Sequence, residues 1–501
     1  MALSFISVNF LLATPEMSRY SPSRTNNLSP MTTNTKNTAS AGAIETNDVA
    51  PIPAGERHGK PWHLFTVWSS PNLEFATVFV GALAIGFGLN IWQGILAVVL
   101  GNALAGITHG ILSTWGPEAG LPQMVLGRNA FGKIGNLIPS GLSTLVAGIG
   151  WFAVNTVSGT FALQALVPDM NVYIALAIII IAQVGVAFVG HNLIQKWERY
   201  ASYFLAVVWI IVVVVIFTMD GAFNVAASSS TDFPWAGFTL TAGAAYGYTA
   251  GWTAFASDYT RYLPANTNKR ALGWAAGLGN FVSTSLIMVV GVAAFNVLSG
   301  GNFWGIANPT ATFTAVFDPT FAKVVLLAIV IGSVSANILN VYSGAMSFLA
   351  MGFKLGFKSR RAIMVALAGL VGGLISYLGV QNGDVAHQLD GFLLVVSYWV
   401  APWIAVVLTE RIMSKGKNAG ERALAPKNSW AGVSAFVIAT AFSIWGFCSQ
   451  VMYTGPLGIA IHHVTLDNGA IVDVPDLTAI VGFVLASLLF WLFSKADKNS
   501  K

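Results

Sequence analysis

Apolar stretches close to 20 residues long recur twelve times along this 501-residue chain. A run of that length, if helical, crosses the roughly 30 Å hydrocarbon core of a bilayer. In lipid every backbone N–H and C=O must be paired within the protein, which leaves helices and closed barrels as spanning structures. The alternating ten-residue segments of a barrel are not seen in the sequence, so helices are expected. Composition points the same way: 55% of residues are hydrophobic, 9% are charged and mean hydropathy is +0.68. Soluble domains carry about 25% charged residues, so this chain cannot cover a water-facing surface. The predicted spans, numbered 1 to 12, lie near 66–89, 93–114, 139–167, 172–191, 201–219, 236–257, 273–298, 322–350, 361–379, 391–412, 429–452 and 476–494.

Basic residues set the expected orientation. With a cytoplasmic N-terminus, 24 of the 25 Lys and Arg residues fall inside and only Lys323 lies outside. Both termini are therefore expected in the cytoplasm, and the net charge of +5 reads as a topology signal rather than as nucleic-acid binding. Residues 1–60, rich in Ser, Thr, Asn and Pro, read as a disordered cytoplasmic tail. The apolar patch "MALSFISVNFLLATPEM" is too short to span and lacks a basic start, so it is not read as a signal peptide. Residues 61–412 are expected to form a ten-helix core, 413–494 two additional spans, and 495–501 a short cytoplasmic tail. Cys448 is the sole cysteine, which excludes an intrachain disulfide.

Two stretches carry helix breakers within spans. "VWSSPNLEFATVFVG", 67–81, places Pro71 and Glu74 early in span 1. "LTAGAAYGYTAGWTAFASDYTRY", 240–262, runs through Gly243, Gly247 and Gly251 into Trp252 in span 6. Broken backbone at membrane depth is tolerated only where protein or water satisfies it. If the first ten spans form two five-helix halves, spans 1 and 6 correspond. Breaks at corresponding positions are the sequence pointer to an inverted-repeat transporter with a site near the midplane. Ordinary glycine flexibility is the competing reading.

Polar residues inside the spans narrow the chemistry. In "GIGWFAVNTVSG", 148–159, Trp151 and Asn155 stand i, i+4 and share a helix face. An Asn there serves either as interhelical glue or as a ligand contact. With Trp252 on another helix, two indoles can stack on both faces of a planar heterocycle while amides pair with its edge. In span 8, "IGSVSANILNVYSGAMS", 331–347, aligns Ser333, Asn337 and Asn340 in one polar stripe. That stripe reads equally as a hydrogen-bond seam or as the lining of a substrate or cation site. Glu74 is ionisable within a span, which makes it a functional candidate by default; it can bind and release a proton, or cap broken backbone. Asp258 and Arg261, at the cytoplasmic end of span 6, read as a charge network or a gate hinge. His109, His191, His462 and His463 are scattered without zinc-ligand spacing. No phosphate-binding or dinucleotide glycine motif is present, which argues against ATP-driven transport. Nor is there a nucleophile elbow or HExxH, which argues against an intramembrane hydrolase.

Four motifs, in order, carry a resemblance: "GPEAGLPQMVLGRNAFGKIG" (116–135), "GWFAVNTVSG" (150–159), "ASDYTRYLP" (256–264) and "NVYSGAMS" (340–347). From about residue 56 to 412 the chain resembles the nucleobase–cation symporter 1 family, most of all its purine–cytosine permease branch. The resemblance implies an all-α, leucine-transporter-like fold: a 5+5 inverted repeat plus two C-terminal helices, working by alternating access, and no enzyme activity. It matches Trp151, Asn155, Trp252 and Asn340 to substrate-binding positions. A substrate-contacting glutamine of the hydantoin transporter falls near Glu74 after a one-residue shift. A family sodium site would use carbonyls near Ser70 and Leu73, a span-8 carbonyl at Ile331, and hydroxyls at positions here occupied by Val334 and Ser335. One hydroxyl is thus missing, so the coupling ion is either H+ or Na+, with a lean to protons through Glu74. The implied protein is a plasma-membrane symporter (inner membrane in bacteria) importing a nucleobase such as cytosine or a purine. Allantoin, uracil, thiamine or a hydantoin is the alternative cargo, and a passive channel or nutrient-sensing receptor is the alternative of another class. Its expected partners are the small-molecule substrate and the lipid bilayer, without nucleic acid and with no cofactor beyond the coupling ion.

Overall fold

A computed structural model describes residues 49–189, 191–225, 233–352, 362–363, 365–382 and 385–499. Among the described residues, seven helices are long and apolar enough to cross a membrane: Ile91–Ala119, Leu137–Leu166, Tyr200–Phe217, Lys269–Leu298, Pro319–Ala350, Gln388–Ser414 and Thr478–Ala496. These are spans 2, 3, 5, 7, 8, 10 and 12. Shorter apolar helices at Phe75–Gly86, Val172–Gly185, Val365–Gln381 and Ala431–Phe447 supply spans 1, 4, 9 and 11. Trp235–Gly251 begins span 6, which completes the twelve. Local sequence sets several starts. Asn90 and Gln93 form a reciprocal cap on span 2, Asn268 caps span 7, and Asp318 followed by Pro319 opens span 8.

Both predicted breaks are present. Span 1 runs as His63–Ser69, tightens into a 3-10 turn at Ser70–Asn72, and resumes as Phe75–Gly86. Between these pieces Leu73 and Glu74 leave helical geometry, Glu74 being extended at φ −151°, ψ 168°. Span 6 runs as Trp235–Gly251, then a 3-10 turn at Trp252–Phe255, then Ala256–Thr260.

The packing pairs reveal the repeat. Span 2 packs on 7, 1 on 7, 6 on 2, 3 on 8, 3 on 9, 4 on 8, 1 on 5 and 6 on 10. Exchanging 1 with 6, 2 with 7, 3 with 8, 4 with 9 and 5 with 10 maps these eight pairs onto one another, while the contact of span 5 with span 8 has no counterpart of similar extent between 10 and 3. This is the 5+5 arrangement. Lipid tails are as apolar as the helices, so association depends on close van der Waals approach, which small residues permit. A Cβ added at Gly291 would stand 1.8 Å from the Val78 carbonyl oxygen, and one at Gly81 1.9 Å from that of Met288. The second half of span 1 and span 7 therefore touch backbone to backbone.

The tail assigned to residues 1–60 is corrected at its end. Residues 1–48 lie outside the described residues, but 49–60 are docked. Ile52 is buried and its N–H donates to the Gly120 carbonyl at 3.0 Å. Arg57 donates to the carbonyls of Ile52 (2.9 Å) and Pro117 (2.8 Å), and the His58 N–H reaches the Tyr262 carbonyl at 2.6 Å. The Ile52 and His58 N–H groups and the Arg57 guanidinium find carbonyls in the loops after spans 2 and 6, and one aliphatic side chain is buried, which a polar composition does not disclose. At the other end, helix Thr478–Asn499 continues into the predicted tail at 495–501, with the Lys495 ammonium 3.7 Å from the Trp491 ring centre. The loops after spans 2, 6 and 10 meet at one end, where Glu118 accepts from Lys269 (2.9 Å) and Arg411 (2.6 Å).

Spans 11 and 12 pack on each other and on span 10. Their connecting loop reaches back into the core. Asp476 accepts from the Tyr398 hydroxyl and from the Ser449 and Thr478 N–H groups, and its own N–H donates to Thr239 at 2.8 Å. Asp473 accepts from the Ala236 N–H at 2.8 Å, capping the start of span 6 from 237 positions away.

Gly291→Ala should force spans 1 and 7 apart and lower stability by about 2–3 kcal/mol, in the range of core overpacking. Gly391→Ala, where an added Cβ meets nothing within 4 Å, should leave the thermal midpoint in detergent unchanged. Equal midpoints for the two variants would refute the backbone-contact account.

Candidate functional site

Span 3 changes pitch where it meets span 6. Between Leu137–Leu145 and Phe152–Leu166, residues Val146–Trp151 wind as a π-helix. A π-turn inserts a residue and rotates the face that follows. Span 9 carries its own π segment at Ala368–Gly372, and the two pack together, a Cβ on Gly372 falling 2.7 Å from Phe152 Cδ1. The paired π segments aim Trp151 inward. Its ring meets Tyr248 of span 6 edge-on at 5.0 Å and Phe392 of span 10 edge-on at 5.1 Å. Its Nε1 comes within 3.6 Å of where a Cβ on Gly251 would stand, one residue before Trp252.

Trp252 opens the 3-10 turn of span 6 and, like Trp151, is 8% exposed. Its Nε1 donates to Asn72 Oδ1 at 3.1 Å, and its ring lies 6.1 Å from that of Trp68. Both predicted indoles are buried, Trp151 with its Nε1 against Gly251 of span 6 and Trp252 directed to Asn72 and Trp68 of span 1. Trp151 is packed edge-on by Tyr248 and Phe392, and Trp252 is tilted against Trp68. A cavity of about 10 Å³ lies away from these rings, between Trp115, Asn129, Glu410 and Arg411 at the end where the basic loops meet.

The predicted amides meet as well, through a residue that was read only as part of a stripe. Asn155 Nδ2 donates to Asn337 Oδ1 at 3.0 Å, and Asn340 Nδ2 approaches the same oxygen at 3.5 Å. Asn337 Nδ2 in turn donates to the Phe152 carbonyl (2.9 Å) and Thr156 (3.3 Å). Thr156 also donates to the buried Gln183 of span 4 at 2.8 Å. Asn337 consumes the donors of its neighbours and leaves Asn155 Oδ1 and Asn340 Oδ1 buried without a partner. A buried orphan acceptor costs about 1–3 kcal/mol, so each is an unmet demand for an N–H or O–H.

Glu74 occupies the N-cap position of Phe75–Gly86, at the positive end of that helix, and is buried with Oε2 unpartnered. Close by along the same helix, the Thr77 and Tyr248 hydroxyls bond at 2.5 Å. The break itself presses on span 8. A Cβ at Gly332 would lie 3.0 Å from Glu74 Cβ and 3.2 Å from the Leu73 carbonyl oxygen. Ser335, one turn further along span 8, is buried. Ser70, in the 3-10 turn, bonds through its hydroxyl to Ser202 of span 5 at 2.7 Å.

Asp258 and Arg261 stand apart from this site. Asp258 accepts from the Gln123 N–H at 2.8 Å, while Ser257 donates to Gln123 Oε1 at 2.7 Å. Arg261 is fully buried and donates to the Tyr262 hydroxyl at 3.1 Å. This network ties the last turn of span 6 to the loop before span 3. His109 is buried edge-on against Trp68 at 4.3 Å, and His462 pairs with Asp473 at 3.0 Å. Sequence reasoning passed over Asn72 and gave Asn337 no role of its own. The available signal for Asn72 was an amide inside the proline-broken "SSPNLE".

Residues 51–466 match the profile of a family described as "Permease for cytosine/purines, uracil, thiamine, allantoin". A putative purine-cytosine permease of Bacillus subtilis is 26% identical over 462 residues, covering 90% of this chain and 96% of its own. The purine-cytosine permease of Emericella nidulans is 26% identical over 437 residues, 83% of each chain. A vitamin B6 transporter of Saccharomyces cerevisiae is 23% identical over 386 residues, 73% of this chain and 64% of that protein. Among solved structures, a nucleobase-cation-symport-1 family transporter, closed with bromovinylhydantoin bound, has a TM-score of 0.70 at 18% identity, covering 91% of this chain and 97% of its own. An inward-facing conformation of Mhp1 scores 0.68 at 19% identity, covering 91% of this chain and 95% of its own. These likenesses establish the leucine-transporter-like fold.

The amide cluster makes an asymmetric prediction. Asn337→Ala should lower stability by about 1–3 kcal/mol, because it strands the amides of Asn155 and Asn340. Asn340→Ala removes an orphan acceptor instead and should leave the melting temperature of the ligand-free protein unchanged or raised. A thermal scan in which Asn340→Ala is the more destabilised of the two overturns this reading.

Proposed function

Because the chain belongs to the permease family for cytosine and purines, uracil, thiamine and allantoin, we propose that it is a symporter importing a nucleobase such as cytosine or a purine. The family is one of transporters rather than enzymes. The observation that carries the cargo assignment is the pairing of two buried indoles, Trp151 and Trp252, with two orphan amide acceptors, Asn155 Oδ1 and Asn340 Oδ1. Flat rings bind aromatic faces, and the N–H groups on a nucleobase edge supply the donors that these oxygens lack. The unpartnered Glu74 Oε2 is a third acceptor at the edge of the same region.

Coupling follows if substrate and ion favour the same conformation, since each then raises the other's affinity. Ser70, Leu73, Ile331 and Ser335 are the positions that would hold Na+, with Val334 in place of a second hydroxyl. Glu74 is the position that would carry H+. The loss of that hydroxyl favours the proton. The 24-to-1 division of basic residues supports cytoplasmic termini and a plasma-membrane location, the inner membrane in bacteria. On this reading 61–412 is the transport core and 413–494 the additional pair of helices. The vitamin B6 transporter among the relatives supports a second cargo reading, another planar heterocycle such as a pyridine, allantoin, uracil, thiamine or a hydantoin.

Cells lacking their own permeases should accumulate labelled cytosine or hypoxanthine against a gradient when they express the chain. Trp151→Ala and Trp252→Ala should each weaken binding roughly 5- to 150-fold, the range of one stacking contact. Equilibration without accumulation would indicate a channel, and full binding in both variants would remove the stacking model.

Uptake is further expected to fall as external pH rises, to ignore sodium, and to lose its pH dependence in Glu74→Gln. Strict sodium dependence with an unaltered pH profile in Glu74→Gln would assign the coupling to the oxygen cluster instead.

A further inference from the structure

The break in span 1 and the break in span 6 are joined by a closed circuit of hydrogen bonds. Trp252 Nε1 donates to Asn72 Oδ1 at 3.1 Å. Asn72 Nδ2 donates to Asn280 Oδ1 of span 7 at 3.3 Å, to Ser283 of the same span at 3.1 Å, and to the Trp68 carbonyl at 2.7 Å. Asn280 Nδ2 then donates to the Thr249 carbonyl at 3.1 Å, back in span 6, three residues before Trp252. Asn72, Asn280 and Thr249 are fully buried. Thr249 extends the circuit to span 2 by donating through its hydroxyl to Asn102 at 2.6 Å.

The place of Asn72 in the chain gives this circuit a use. It closes the 3-10 turn whose first residue is Ser70, and the Leu73 N–H donates back to the Ser70 carbonyl at 3.1 Å. Ser70, Asn72, Leu73 and Glu74 are thus one short rigid piece of backbone. A cation drawn to the Ser70 and Leu73 carbonyls acts on the segment that carries the Asn72 side chain. At the other end, the indole N–H of Trp252 is committed to Asn72. The tilt of that indole is set from span 1 as much as from its own helix.

We propose that Asn72 is a positioning residue: its hydrogen bond to Trp252 transmits ion binding at the span-1 break to the aromatic face that receives the substrate. The inference rests on the reading of Trp252 as a ring-stacking residue. In low dielectric a buried N–H holds its partner until another replaces it, so the indole has few discrete orientations rather than a continuum. Ion binding selects the orientation in which the ring lies ready, and substrate binding favours the ion by the same factor, as linkage requires.

The test is a coupling measurement on the purified full-length protein. Affinity for labelled cytosine and hypoxanthine is measured with the ion present and absent, varying sodium and pH separately. In the wild type the effective ion should raise affinity by a factor of roughly 5 to 150, the usual span of coupling between sites. Asn72→Ala should bring that factor down roughly fivefold to tenfold, as expected for one lost hydrogen bond. Trp252→Phe keeps an aromatic face but lacks the N–H, and should reduce the factor to the same extent. The double variant should lose no more than either single one, because both remove the same bond. A merely structural role for Asn72 would lower stability while leaving the ratio of affinities intact. If Asn72→Ala does not fold, Trp252→Phe alone decides: a wild-type coupling factor in that variant overturns the proposal. Fully additive losses in the double variant overturn it too. A wild-type protein that binds neither heterocycle in any ionic condition overturns instead the substrate reading beneath it.

Discussion

A helix that unwinds inside a bilayer exposes backbone groups to a solvent that cannot pair with them, and this requirement organises the protein. Span 1 opens at Leu73 and Glu74, and span 6 changes pitch at Trp252. The groups that satisfy these openings come from a neighbouring helix and from the break itself: Asn280 of span 7 takes the Thr249 carbonyl of span 6, and Asn72 takes the Trp68 carbonyl within span 1. Such partners must be polar, buried and accurately placed. A polar centre in an apolar bundle is first a repair of the backbone, and its chemistry is built from what the repair leaves over.

What it leaves over is uneven. Asn337 is fully engaged, through one oxygen shared by two amides and a nitrogen that bonds Phe152 and Thr156. Its neighbours Asn155 and Asn340 each keep an acceptor without a donor, as does Glu74. These three orphan oxygens destabilise the ligand-free protein and stand ready for a donor-bearing molecule. Proteins commonly hold such unfavourable arrangements where they act, at the expense of stability.

Most of this architecture was legible in the sequence. Twelve apolar runs, one set of basic loops and two clusters of helix breakers led to the spans, the repeat and the positions of the breaks. Trp151, Trp252, Asn155 and Asn340 stood out because an indole or an amide in the body of a span needs a reason to be there. The remainder depended on contacts that no periodicity records. The π segment at Val146–Trp151 arises where it meets a matching segment in span 9, and it decides which way Trp151 points. Asn72 gained its meaning only when span 6 placed an indole N–H against it. The docking of 49–60 is carried by Ile52 and Arg57 within a stretch whose composition is that of a tail. Short-range pattern finds the elements, and long-range geometry assigns the roles.

The cap that Asp473 places on the Ala236 N–H has a bearing on how the protein is made. Synthesis proceeds from the N-terminus, so span 6 is complete long before the loop joining spans 11 and 12 leaves the ribosome. Until then the first turn of span 6 lacks its acceptor, and the Tyr398 hydroxyl lacks Asp476. The last-made loop thus supplies acceptors to groups 237 and 78 positions earlier in the chain.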